Sequence, residues 1–187
     1  MCMFRDLRAD EIEVRVAQAT EYGVTLLLYK DARVDMAILD ETVGQDNWQN
    51  KFYEHKGILF CSLGINTNYA LQKSIADAPD RWIWKDDAGT ESNTEAEKGN
   101  ASDARKRAGF AWGIARELYT SPVIKVRSDG CNLNQYSGKW KCYDSFEVEA
   151  IKIDKKRIVG LAIRNTTTGK RCFSWVDEQW KKEQENA

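Results

Sequence analysis

The chain is poor in proline, with only Pro79 and Pro122, and it carries a single histidine, His55. So little proline excludes a polyproline segment or proline-rich linker, and no stretch has low-complexity composition. His55 has no partner ligand at a recognisable spacing, which argues against a metal site and leaves a Ser/His/Asp arrangement one base to use, with no nucleophile elbow. Cys2, Cys61, Cys131, Cys142 and Cys172 are odd in number and include no CxxC pair, so reduced, mostly buried thiols are expected rather than a disulfide framework. GxxxxGK[ST] is missing, as is a GxGxxG after a strand; without a cradle for a nucleoside triphosphate, no cofactor and no ATP-driven mechanism are expected. Apolar runs such as Val24–Tyr29 are far too short to span a bilayer, and MCMFRDLRAD lacks a signal-peptide core. The expectation is a soluble protein without membrane contact that stays inside a cell.

What is present is globular: 42% hydrophobic and 11% aromatic over 187 residues, enough for one good core. Charge is unevenly spread. Residues 1 to 97 carry 10 basic and 18 acidic side chains, residues 98 to 187 carry 18 and 11. A local positive field, not overall pI, governs phosphate contact, so the near-neutral total leaves nucleic acid open while arguing against indiscriminate binding. Contact between an acidic and a basic half of neighbouring subunits is the competing reading.

Asp10 caps EIEVRVAQATEY, where Ile12, Val16 and Ala19 at helical spacing predict a short amphipathic helix. VTLLLY reads as a strand, and Val34 to Gly44 as a second short helix. WQNKFYEH and GILFCSLGI read as strands turning at Lys56-Gly57, residues 66 to 80 as an excursion, and RWIWKDD as an aromatic strand. After Ser121-Pro122, VIKVR is a strand and SDGCNLNQYSGK a loop. Strands over Ser145 to Ile153, Arg157 to Arg164 and Arg171 to Val176 make an antiparallel meander before a charged tail.

Between the halves lies TEAEKGNASDARKRAGFAWGIARELY, Thr94 to Tyr119, read as one helix opened by a Thr94–Glu97 capping box. Ala101, Ala104, Ala108, Ala111, Ala115 and Leu118 form a narrow stripe suited to close packing on a sheet. Lys98, Arg105 and Arg116 fall within roughly 20° on the same wheel, beside Ser102, Gly109 and Gly113. Small residues beside aligned cations fit either tight packing with solvated charges or a lane for a phosphate backbone. Two further sets are open. Asp144, Glu147, Glu149 and Lys152 hold the residue types of a metal-dependent nuclease, but Glu149 and Lys152, three apart on a strand, are expected on opposite faces. Trp82 and Trp84 share a strand face and fit base stacking, core packing or a subunit interface.

Ser102-Asp103, Lys106-Arg107-Ala108, Trp112-Gly113 and Ala115 resemble the signature helix of the Rad-fifty-two type of single-strand annealing proteins. The ending Trp112 to Tyr119 is similar to its phage and prophage form. Ala32-Arg33-Val34, Val43-Gly44 and Trp48 sit where that family carries similar elements, and the resemblance covers about residues 10 to 120.

It implies an α+β fold with a β-β-β-α core, assembled as a homo-oligomeric ring or helical arc with single-stranded DNA in an outer basic groove. Lys106 and Arg107 match the family's lysine-arginine pair and Arg33 its arginine near the first strand. A further basic position falls on Phe110, for which Arg105 or Arg116 are substitutes. The expected whole is a single domain over 1–187: an annealing-protein-like core (10–120), a C-terminal β extension (121–177) and a charged tail (178–187). The expected DNA-binding set is Lys106, Arg107, Arg33, Arg105, Lys98 and Arg116, with no catalytic residue. The implied activity is ATP-independent annealing of complementary strands in phage-type recombination and repair, in the cytoplasm of a bacterial host. Partners would be single-stranded DNA, the annealed duplex intermediate, and a single-strand-binding protein or exonuclease. A coating protein without annealing activity is the alternative, and a nuclease a further one.

Overall fold

The computed structural model describes residues 4–75, 77–89 and 96–185, with 96–98 described as backbone alone. In chain order the elements are β1 (Glu13–Thr20), β2 (Gly23–Tyr29), α1 (Ala32–Val43), β3 (Trp48–His55), β4 (Ile58–Asn66), α2 (Tyr69–Gln72), β5 (Trp82–Ala88) and α3 (Ala96–Trp112). They continue with β6 (Ile124–Arg127), β7 (Leu133–Tyr136), β8 (Lys139–Cys142), β9 (Phe146–Asp154), β10 (Arg157–Asn165), β11 (Lys170–Val176) and α4 (Glu178–Glu185). Among the described residues no helix is long and apolar enough to cross a membrane.

The chain clusters into two compact units, one of Ala32–Ala115 with the residues up to Arg5, the other of Asp6–Asp31 and Arg116–Ala187. The first holds an antiparallel meander, β3-β4-β5, followed by α3, the expected β-β-β-α order within an α+β fold. Cys61, Leu63 and Ile65 of β4 are buried, and their cross-strand partners Phe52, Asn50 and Trp48 on β3 and Asp87, Lys85 and Ile83 on β5 share that face. α3 and α1 pack on this unit, with Ala104, Ala108, Ile38 and Leu39 in its core. Described residues of the 66 to 80 excursion are tied to the end of β4. Asn66, buried at the end of β4, has its Nδ2 within 3.1 Å of Asn47 Oδ1, Gln72 Oε1 and Asp80 Oδ1 and accepts from the Asn68 and Arg81 amides.

In the second unit a six-stranded antiparallel sheet runs β11-β10-β9-β1-β2-β6, and β7 and β8 form a separate hairpin. The C-terminal meander is therefore completed by N-terminal strands: Glu13 pairs Glu147 and Val14 pairs Phe146. Residues 10 to 31, expected with the segment 10–120, cluster with the second unit.

Three expectations are corrected. The helix over residues 11 to 22 is a 3-10 turn, Ala9–Glu11, and strand β1. Ile12, Val14 and Val16 alternate at two residues while Ile12, Val16 and Ala19 keep a helical spacing, and pairing of Val14 and Val16 with Leu28 and Leu26 of the β-rich neighbour decides for the strand. The loop over 128 to 139 contains β7 and opens a hairpin, because Ser137 and Gly138 both take positive φ, 49° and 76°, the geometry of a two-residue hairpin turn. The central helix stops at Trp112, not Tyr119. Gly113 has φ of 92°, its N–H donates to Phe110 O at 2.9 Å, and the Ile114 N–H donates to Gly109 O at 3.1 Å, a glycine-terminated Schellman ending. The Thr94–Glu97 cap lies outside the described residues.

Candidate functional site

α3 meets its unit through alanine. Ala104 and Ala108 are fully buried, and about 100° of turn per residue places Lys106 roughly opposite both. Lys106 is partly exposed and forms no ion pair among the described residues. Phe110 follows it by one helical turn and shares its side of α3.

The neighbouring cations are used differently. Arg107 Nε lies 3.3 Å from Asp87 Oδ1 on β5, an ion pair joining helix to sheet. Arg105 turns to the α1 side: its Nη1 is 3.4 Å from Met36 Sδ, its guanidinium 5.7 Å from the Phe52 ring, and its Nε is buried without an acceptor. In this packing the Arg105 stem covers apolar surface. Arg33 is exposed on the first turn of α1. Arg116 is exposed in the 3-10 turn Arg116–Thr120 and belongs to the other unit. Because α3 ends at Trp112, Arg116 is not on that helix, and the wheel drawn through Tyr119 does not apply to it. The side chain of Lys98 lies outside the described residues.

The two glycines acquire separate reasons. Gly113 terminates α3. A Cβ on Gly109 would meet the Asp35 carboxylate at 3.6 Å, an ordinary contact, so this residue marks where α1 and α3 touch without being demanded by sterics. Trp112 anchors the helix end by donating Nε1–H to Leu63 O at 2.9 Å. Lys85 sits over its ring at 4.5 Å and donates to Ala111 O at 2.9 Å. Together with Ile65, Tyr69 and Ile83 they line a cavity of about 600 Å³. No spacing rule links Lys85 to Trp112, so the sequence alone gave no sign of this pair.

The opposite face of β3-β4-β5 is aromatic. Tyr53 and Phe60, cross-strand partners, stack at 5.3 Å, and Trp82 and Trp84 at 6.1 Å. Lys51 Nζ lies 4.3 Å from the Trp84 ring. Gly64 makes this possible, since a Cβ there would stand 2.7 Å from the Trp84 indole. Tyr53 Oη donates to Asp86 Oδ2 at 3.0 Å, and that bond raises the phenol pKa above its ordinary value. The Trp82/Trp84 face was visible in the sequence, and the expected turn at Lys56-Gly57 already sets Tyr53 opposite Phe60.

The nuclease-like acids are engaged separately. Asp144 accepts from the Asn132 amide at 2.7 Å, Asn132 Nδ2 at 3.0 Å and Asn165 Nδ2 at 2.7 Å. Glu149 accepts from Arg171 Nε at 2.6 Å, with Arg164 at 3.9 Å, and this contact lowers its pKa. The pairs Ala162–Ala150 and Ile163–Val148 leave Glu149 as a bulge residue, so strict face alternation does not carry from it to Lys152. Among the described residues no three His, Cys, Asp or Glu side chains group as a metal centre. Burial pushes the Cys61 and Cys131 thiols up to about 11, which keeps both protonated at neutral pH.

No protein-family model, curated protein or solved structure matches this chain.

Proposed function

We propose that the chain binds single-stranded DNA and anneals complementary strands without ATP, as a homo-oligomer of the Rad-fifty-two-like, phage-type recombination class. The observation that carries this reading is Lys106. It stands on the outward side of a helix that follows a three-stranded meander, and no acid among the described residues neutralises it. A lysine left in this way contributes its charge to a phosphate without first breaking an internal pair. Arg107 then acts as the strut that fixes α3 on β5, and Arg33 supplies an exposed cation on α1.

Annealing needs no bond chemistry: phosphates are neutralised, the strand is held extended, and base pairing reads the sequence. Mixing complementary labelled strands with the full chain tests the activity. Pairing faster than the spontaneous rate supports annealing; slowed pairing identifies a coating protein, and magnesium-dependent cleavage a nuclease.

A further inference from the structure

The second unit carries a groove that neither its strand pairing nor its core requires. Gly23 opens β2 opposite Arg127 with φ of 143°, and a Cβ there would stand 2.0 Å from the Val126 carbonyl oxygen, so only glycine fits. The tight β1–β2 turn that results holds the backbone of Tyr22: its carbonyl accepts from the Ser128 amide at 2.9 Å and its N–H donates to Thr20 Oγ1 at 3.3 Å. The ring itself is 77% exposed. An unburied ring on a fixed backbone contributes little to folding and leaves its planar face open to solvent.

Tyr22 stands between two cavities and lines both. One, of about 400 Å³, has Lys125 and Arg127 in its wall; the other, of about 530 Å³, has Glu21, Lys139 and Trp140. Lys125 and Lys139 form no ion pair among the described residues, and Arg127 has Asp129 at 3.9 Å with both side chains far out in solvent. A surface pair of that kind contributes little and yields readily to another anion. Lys141, two residues along β8, shares the side that carries Lys139.

From this we infer that the Tyr22 groove is a binding site for single-stranded nucleic acid, with a base stacked on Tyr22, Trp140 in the adjoining wall, and flanking phosphates at Lys125/Arg127 and Lys139. Cations in both of the cavities that the exposed Tyr22 lines match a nucleotide chain, which has a phosphate on either side of every base. A duplex keeps its base faces stacked internally and offers none to Tyr22. The site lies wholly in the second unit, so it stands or falls separately from the role of Lys106.

The experiment measures binding of the full chain to short oligothymidylate, oligouridylate and a DNA duplex across a salt series, in the wild-type and Lys106→Ala backgrounds. Tyr22→Ala weakens single-strand binding about tenfold with the salt slope unchanged, because stacking carries no charge. Tyr22→Phe restores it, and Tyr143→Ala, an exposed tyrosine outside both cavities, leaves it unaltered. Lys125→Ala with Arg127→Ala lowers the slope by about 1.4, the contribution of two phosphates on a single strand. The two oligonucleotides differ in the sugar and in the base methyl, and the Tyr22 effect on either supports the site. Unchanged single-strand affinity in Tyr22→Ala, or an equal loss on duplex, overturns it. Loss of the Tyr22 effect alone leaves the Lys106 reading intact, and the reverse result leaves this one.

Discussion

Arg107 Nε and Asp87 Oδ1, 3.3 Å apart, tie α3 to β5, while Lys106 beside Arg107 forms no ion pair among the described residues. Adjacent cations of one helix are thus divided between holding the fold and facing outward. The pair is partly solvent-exposed, so its contribution to stability is small. A double-mutant cycle with Arg107→Ala and Asp87→Ala, read by urea unfolding, is expected to give a coupling of about 0.5 kcal/mol that shrinks with added salt. A coupling that persists undiminished in high salt would contradict this description of the pair.

Gly64→Ala places a methyl where the Trp84 indole lies, 2.7 Å from its nearest ring atom. The indole must tilt off β4, and the expected cost is about 1–3 kcal/mol, measured as a fall in the urea midpoint. Near-ultraviolet circular dichroism of the tryptophans is expected to change with it.

Gly113→Ala tests the helix ending. Nothing lies within 4 Å of a Cβ at this position, yet its φ of 92° is strained for any side chain. The loss expected is about 1 kcal/mol without a change in packing. Wild-type stability in this variant would show that the Schellman ending is not maintained in solution.

Asp144 is expected to make the second unit sensitive to acid. Burial alone would raise its carboxyl pKa, but hydrogen bonds from the Asn132 backbone and side chain and from Asn165 hold it below the ordinary 3.8. A carboxylate with a depressed folded-state pKa stabilises the fold above the unfolded value, and that contribution disappears as pH falls through the folded one. Asp144→Asn is therefore expected to lower stability at neutral pH and to flatten the decline on acidification, followed by urea midpoints from pH 7 to about pH 2. An equally steep acid limb in the variant would assign the sensitivity to other carboxylates.

Much of the first unit was legible because its signals are local. WQNKFYEH coincides with β3, Trp82 and Trp84 sit two apart on β5, and Ala104 and Ala108 mark the buried side of α3. Lys106 and Arg107 were both expected at DNA, and the pairing of Arg107 with Asp87 came only from the fold. What the sequence concealed is nonlocal. β1 became a strand because β2 and β9 were available as partners, and no window of EVRVAQAT contains them. The row of Lys98, Arg105 and Arg116 depended on a helix continuing to Tyr119, and Gly113, read as a site of close approach, terminates it. The neighbours of Arg105, Met36 from α1 and Phe52 from β3, are likewise brought to it by the fold and not by any local pattern.

The most direct test of the proposed function is the salt dependence of oligothymidylate binding by Lys106→Ala, in a variant shown by circular dichroism and sizing to be folded and assembled like the wild type. Removing one phosphate contact on a single strand is expected to weaken binding without regard to base sequence and to lower the slope of log K against log salt by about 0.7. Affinity and slope equal to those of the wild-type chain would contradict the assignment of Lys106 to the DNA backbone.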